Sequence, residues 1–359
     1  MHLIQSLKRA HCSQAILVEE FTRATAIVKS TMHLTLLVAG ALLPAELAVA
    51  LSASLDTPNL KARLARAALK EQAVGFESSG GGNAHLDWLA HQLFSRAAPA
   101  PTAPYSYAHL SGATSRSFIW HADPVHIEVA RDHLIAQSLG ADARLREESM
   151  QLMQVANQLV CDLSCKFVCV GDRWFLQSEH DWMIDAAPLA AVIEAPVALP
   201  AGTDAQIWNR LHNEIQMAWH AHALNQTRET DRLPTINGIW LHGGGRWQSL
   251  PPIAYEHVLS DEPEWRGAAQ AAGAGSAPLS AKVVNEALLV IDDAWLPKRR
   301  EDWAVWLGAV TALDRRLASH RADAIDLVFT GNTVRTFESR PSDRYKPWRQ
   351  RSVAEALTE

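Results

Sequence analysis

Two stretches of this chain concentrate side chains able to do chemistry. The first is His121-Ala122-Asp123-Pro124-Val125-His126-Ile127-Glu128-Val129-Ala130-Arg131-Asp132-His133-Leu134. Asp123, His126, Asp132 and His133 are residue types that ligate divalent metals or transfer protons. The plainer reading of the same residues is an Asp-Pro turn start and strand-edge histidines. The second stretch runs from Asn209 to Trp247. There Ile207, Leu211, Ile215, Ala218 and His222 space out an apolar helical stripe, with the helix ending near Leu224-Asn225. Asn213, Gln216 and His220 fall at i, i+3 and i+7, so they stack on a second face. Asn225 and Arg228 follow. Asn237 and Trp240 then lie on a short strand, Ile236 to Leu241, that empties into His242 and three glycines, Gly243, Gly244 and Gly245. Glycines let backbone N–H groups approach a ligand closely, and Arg228 could clamp an anion through two hydrogen bonds. Together these groups predict a pocket for a small anionic ligand, with His126, Arg131 and His133 as its opposing wall. The competing reading makes Asn213, Gln216 and His220 a buried structural network.

Other signals are weaker. Ser78 to Asn83 (SSGGGN) lacks the Lys-Ser/Thr that a phosphate-binding loop needs, so it reads as a linker. Cys161, Cys165 and Cys169 recur every four residues, but Phe167 to Val170 reads as a strand, which breaks the alignment. With no CxxC pair they read as small buried hydrophobes, and a reducing cytoplasm is the default location. Leu34 to Leu43 is apolar, but Pro44 and Glu46 interrupt it well short of the ~20 residues that span a bilayer. A buried strand, Leu34 to Val38, is favoured over a signal segment for export, and no membrane partner is expected. The net charge of −6 excludes a global field for nucleic acid. Lys298-Arg299-Arg300 and the tail from Arg340 to Arg351 are locally basic, so a protein partner could use the tail.

The elements that must position these groups alternate. Helix is expected from Pro44 to Val74, a strand at Ser117 to Trp120, and helix from Glu147 to Leu163. A hairpin of Lys166 to Val170 and Arg173 to Gln177 closes on Gly171-Asp172. Arg266 to Pro278 reads as an Ala/Gly linker. Ala287 to Ile291 is a continuous apolar strand of the kind buried on both faces of a parallel sheet, ending in Asp292-Asp293. Helix follows over Trp303 to His320, and a last strand over Ile325 to Phe329. The pattern predicts an α/β fold, a mixed, mostly parallel sheet flanked by helices, with a smaller α+β lobe. The expected divisions are 1–31 as an extension outside the fold, 32–116 as the first part of the α/β core, 117–200 as the lobe, and 201–359 as the second part of the core with its basic tail. Met32-His33-Leu34 repeats the opening Met1-His2-Leu3, which suggests a start at Met32.

Asn225, Arg228, Pro234, Asn237, Trp240 and Gly243 together resemble a segment of the archaeal-type, cofactor-independent phosphoglycerate mutases of the alkaline phosphatase superfamily. The run from Met32, with Asp123-Pro124-Val125-His126, Asp132-His133 and Asn213 to Met217, more closely resembles bacterial regulatory proteins of the RpfE type, which are phosphoglycerate-mutase-like. The resemblance implies a phosphate-handling fold. A mutase of this kind uses two metal ions and a Ser or Thr nucleophile. Its first strand ends in Asp-Gly, and a Gly-His pair follows its late strand. Here the first strand ends in Val38-Ala39-Gly40, and Ile291 is followed by Asp292-Asp293-Ala294-Trp295. The expectation is therefore a regulatory protein that binds a small phosphorylated ligand without mutase activity and without a cofactor. The alternative is a metal-dependent phosphomutase or phosphohydrolase whose atypical site draws on Asp123, His126, Asp132, His133, His220 and Asp292, with a divalent metal only in that case.

Overall fold

The computed structural model describes residues 32–74, 83–96, 99–129, 134–137, 139, 145–197, 200–282, 286–320 and 322–359. The expected extension 1–31, most of the glycine run at Ser78 to Gly82, and Arg131, Asp132 and His133 lie outside the described residues. The chain begins β1 (His33–Val38), α1 (Ala45–Ser52), α2 (Pro58–Leu64), β2 (Ala68–Val74), α3 (Ala84–Phe94) and α4 (Ala103–Ser111). It continues β3 (Phe118–Val129), β4 (Leu134–Gln137), α5 (Leu145–Val160), β5 (Cys165–Val170), β6 (Arg173–Ser178), α6 (Leu189–Val192) and β7 (Pro196–Val197). Then come α7 (Ala205–His220), α8 (Ala223–Thr230), β8 (Gly238–Gly245), β9 (His257–Leu259), α9 (Pro263–Ala271) and β10 (Gly275–Ala277). The last elements are β11 (Ala287–Ile291), α10 (Trp295–Arg299), α11 (Trp303–Ser319), β12 (Ala324–Thr330), β13 (Thr333–Ser339) and α12 (Val353–Leu357).

Two sheets organise these elements, and the fold is the α/β class read from the sequence. The first has seven strands in the order β10-β9-β11-β1-β12-β13-β2. Strands β10 to β12 along that order run parallel, and β13 is antiparallel to both neighbours. β1 and β11 are apolar at nearly every position because helices cover both faces. Leu34, Leu36, Val38, Leu289 and Ile291 pack with Trp306, Val310, Leu313 and Leu317 of α11. Leu37, Leu288 and Val290 point the other way, onto Leu89 and Leu93 of α3 and Ala268 and Ala269 of α9. Burial on both faces fixes the register, since a one-residue slip would exchange the two sets.

The second sheet is antiparallel, β5-β6-β3-β4-β7, with β8 also paired to β3. β3 is its spine. It pairs with β6 at 118–121, with β8 at 119–125 and with β4 at 126–129. The hairpin β5–β6 turns at Gly171, whose φ is +66°. α5 and α7 cover this sheet through Leu152, Met153, Ala156, Trp208, Leu211, Ile215 and Trp219.

Several expectations are corrected here. α7 buries Ala205, Trp208, Leu211, Ile215 and Trp219, while Ile207, expected on the apolar stripe, is 51% exposed. The two tryptophans bury more area than Ile207 or Ala218 and so set which face turns inward. The chain also does not leave helix near Asn225. His222 caps a second helix, its Nδ1 accepting from Leu224 N at 3.2 Å, and Asn225 and Arg228 lie on that helix, α8. Asp123-Pro124 starts no turn but sits within β3. The Ala/Gly segment 266–278 is no linker, since it forms most of α9 and all of β10. Its small residues serve close packing. A Cβ at Gly267 would come within 2.1 Å of the Tyr105 carbonyl oxygen on α4. The basic tail folds back, with Arg351 N donating to Ala65 O at 2.9 Å and Glu359 N to Leu43 O at 2.9 Å. No described helix is long and apolar enough to cross a membrane.

Candidate functional site

The register of β3 on β8 builds the first part of the site. His121 stands opposite His242, and Asp123 lies two residues further along β3, past a register shift between Ile119 and His121. Alternate residues of a strand share a face, so His121 and Asp123 point the same way. Asp123 Oδ2 and His242 Nε2 are 2.7 Å apart. The His121 ring stacks on His242 with centroids 4.7 Å apart, and Phe175 of β6 packs against it at 5.3 Å. His121 is 1% exposed, and neither of its ring nitrogens has a hydrogen-bond partner. One ligand atom from each of His121, Asp123 and His242 lies within 4.8 Å of the others.

Asp123 and His242 open onto a cavity of about 290 Å³ between the two sheets. The first sheet contributes Ala39 just after β1, and Val290 and Asp292 at the end of β11. Carboxyl ends of parallel strands are where open α/β sheets bind ligands. α9 adds Glu262 and Glu264 from its start, α3 adds His85, α10 adds Trp295, and β6 adds Arg173. Four carboxylates (Asp123, Glu262, Glu264 and Asp292) thus face one guanidinium, Arg173. Arg173 is ion-paired with Glu262.

Burial works on each of these groups. It opposes ionisation of Asp123, but the hydrogen bond and charge of His242 outweigh it and hold the carboxyl below its ordinary range. Burial and then the neighbouring His242 push His121 well below the usual imidazole range, so it is held neutral. His85 is lowered to about 3 by burial and then Arg299. Burial, then Glu262, lifts Glu264 to about 8, against the opposing charge of Arg173. Burial, then Glu262 and Asp293, lifts Asp292 to about 6. Shifted groups converging on one cleft mark it as the functional candidate in this fold.

The residues singled out from the sequence are distributed differently. Asp123 and Gly243 line the cavity, and Gly244 lines a neighbouring hollow behind Trp120. Asn213 and His220 are exposed, Gln216 is half-buried, and none of the three reaches the cavity. Asn225 is buried and ties α8 to the end of α7 and to the segment before β8, donating to Trp219 O and Ile236 O at 2.9 Å each and accepting from Ile236 N at 2.9 Å. Arg228, 1% exposed, ion-pairs with Glu148 and donates to Pro234 O at 2.7 Å, so it is no anion clamp. Asn237 bridges Ile127 N and O. Trp240 Nε1 donates to Ala187 O at 2.9 Å, and His126 Nδ1 lies 2.8 Å from Thr235 O. Gly243, Gly244 and Gly245 are strand residues that make room for the protein itself. Cβ atoms there would meet Thr102 Oγ1 at 2.3 Å, the Trp120 ring at 2.4 Å and Pro101 Cβ at 2.7 Å. Among the described residues, His126, Asn213, Gln216, His220 and Arg228 line neither of these two cavities.

His121, His242, Arg173, Glu262, Glu264 and His85 were missed. The signals present were the His-x-Asp alternation at 121–123 and the Glu-Pro-Glu at the start of α9. Ala39 and Gly40 follow β1, and the Gly40 carbonyl is engaged by Trp306 Nε1 at 2.9 Å. Among the described residues, the group of His and Asp side chains close enough to share an ion is His121, Asp123 and His242 on the second sheet.

No protein-family model matches the sequence, and no curated protein matches it significantly. Among solved structures, the chain is similar to the PH0037 protein from Pyrococcus horikoshii, with a TM-score of 0.55 and 11% identity over 92% of this chain and 93% of that one. At that identity the likeness speaks to the fold alone. A cofactor-independent phosphoglycerate mutase from Thermoplasma acidophilum DSM 1728 aligns at a TM-score of 0.45 and 12% identity, over 91% of this chain and 95% of that one. That score is too low to carry an argument.

Proposed function

We propose that the protein binds a small phosphorylated ligand in the cavity between its sheets, as a phosphoglycerate-mutase-like regulatory protein rather than as a mutase. The observation that carries this reading is the convergence of seven ionisable side chains (His85, Asp123, Arg173, His242, Glu262, Glu264 and Asp292) from both sheets and their flanking helices on one hollow of about 290 Å³ at the carboxyl ends of β1 and β11. The volume suits a ligand of a few carbons. The only hydroxyl side chain among the described lining residues is Thr102; they include no serine or cysteine. A phosphoenzyme route would need an activated nucleophile, and Thr102 is the one hydroxyl candidate among these residues. The charge census adds a condition. An anion entering beside four carboxylates must arrive with protons or with a counter-cation. A second reading, metal-dependent phosphoester hydrolysis, is favoured by the His121–Asp123–His242 cluster.

A thermal-shift series tests the proposal. 3-Phosphoglycerate, with and without divalent cation, should stabilise the protein, and unphosphorylated glycerate should not. At ten times Kd the gain is about 1.4 kcal/mol. Failure of every phosphorylated compound at millimolar concentration would remove this reading. Phosphate release from 3-phosphoglycerate or a generic phosphoester would replace it with the second.

A further inference from the structure

We propose that His121, Asp123 and His242 form a binding site for one divalent transition-metal ion of the zinc class, on the face of the second sheet that looks into the cavity. The three residues come from two strands whose pairing fixes their relative positions, so the cluster belongs to the sheet and not to a loop. Two imidazoles and one carboxylate suit zinc or ferrous iron and disfavour magnesium and calcium, which prefer all-oxygen shells. Three protein ligands leave a coordination position for water or for a ligand oxygen, as in metal sites that do chemistry.

The obvious competing explanation is a polar plug, in which Asp123 and His242 satisfy one another and the third residue merely packs. His121 argues against it. Its ring is 1% exposed, yet both nitrogens lack partners. A packing residue at that place, between Phe175 and His242, would be better apolar, because a buried nitrogen without a partner costs stability. An ion bonded to His121 would supply the missing partner. A tetrahedral ion with bonds of ~2.1 Å holds its ligand atoms ~3.4 Å apart. The present separations are all within 4.8 Å; to reach that spacing His121 would move in, and Asp123 and His242, now 2.7 Å apart, would move apart. Phe175 would then support the outer face of His121, and Asp123 would exchange its bond to His242 for a bond to the metal.

The role of this ion in ligand binding rests on the function proposed above, where it would offset the cavity's carboxylates. Its capacity to bind does not. The experiment is titration of the chelator-stripped full-length protein with Co(II), followed by visible absorption, with zinc stoichiometry by elemental analysis. One equivalent per chain should bind, unaffected by equimolar magnesium. His121→Phe, which keeps an aromatic ring in the stack, and Asp123→Asn should each weaken binding at least tenfold. Absence of stoichiometric binding to the unsubstituted protein would overturn the inference, as would undiminished binding in both variants. If His121→Phe does not fold, His242→Gln gives the same readout. A parallel 3-phosphoglycerate titration separates the two claims. Metal uptake without any ligand affinity keeps this site and defeats the ligand, and ligand affinity without metal uptake does the reverse.

Discussion

Replacing Glu264 by Gln should change how stability responds to pH more than it changes stability at any one pH. Glu264 lies in the first turn of α9, and its Oε2 is sealed from solvent without a hydrogen-bond partner. Burial first, then Glu262, lifts its carboxyl from 4.5 to about 8. An acid raised in this way keeps its proton in the fold where the unfolded chain has released it. Between about pH 4.5 and 8 the native state binds more protons, so stability falls as pH rises through that window. A shift of about 3.5 units corresponds to about 5 kcal/mol if fully expressed. Part of the side chain reaches solvent, and Arg173 can reorient toward it, so screening reduces the expected effect to about 2 kcal/mol. Gln is isosteric with the protonated acid and does not ionise. The variant should therefore unfold close to wild type in urea at pH 5 and gain about 2 kcal/mol over it at pH 8. Asp292, raised to about 6, leaves a residual slope below pH 6 in both proteins. An equal difference at pH 5 and pH 8, or a larger gain at pH 5, would refute the argument that Glu264 is held protonated.

Three structural substitutions follow from contacts already described. Arg228→Met should cost about 3 kcal/mol by leaving Glu148 partly buried without its guanidinium, and adding Glu148→Gln should recover part of that loss in a double-mutant cycle by denaturation. Gly267→Ala should lower Tm despite alanine's better helix propensity, because its Cβ would meet the Tyr105 carbonyl oxygen at 2.1 Å; about 1–3 kcal/mol is expected. Trp306→Phe should cost about 1–2 kcal/mol by leaving the buried Gly40 carbonyl unsatisfied, read by chemical denaturation and without effect on metal uptake.

The parallel sheet was legible because its chemistry is local. Ala287 to Ile291 is an uninterrupted apolar run, and Leu34 to Val38 and Ile325 to Phe329 are each broken at one position, by Thr35 and Asp326; strands covered on both faces sustain such runs. α11 was legible for the same reason, since Trp306, Val310 and Leu313 repeat at helical spacing and are buried. α9 was not. Its alanines and Gly267 were read as a linker, although small residues also mark places where backbones approach. Composition alone does not separate those two uses of glycine. The three glycines of β8 failed in the same way. They look like a cradle for a ligand, but the atoms that fill the space belong to Thr102, Trp120 and Pro101.

The site was less legible than the fold because it depends on register and not on any run of residues. Asp123 and His242 are 119 positions apart, and their meeting is set by which residue of β3 faces which residue of β8. Shifting that pairing by one would send His242 to the opposite face of the sheet and leave Asp123 without its partner. Sequence spacing instead favoured side chains close together on α7 and α8, and their regular intervals described a solvent face and a structural tie. Arg228 illustrates why such a side chain misleads. A guanidinium among Asn and Gly residues invites an anion, but at 1% exposure it can be stable only beside a carboxylate of its own, here Glu148. The same reasoning, applied to His121, gives the opposite result. It is as deeply buried, yet no protein group answers its nitrogens. An unanswered buried group is the stronger indication of a missing partner, and the proposed metal site on the second sheet rests on this contrast between two equally buried side chains.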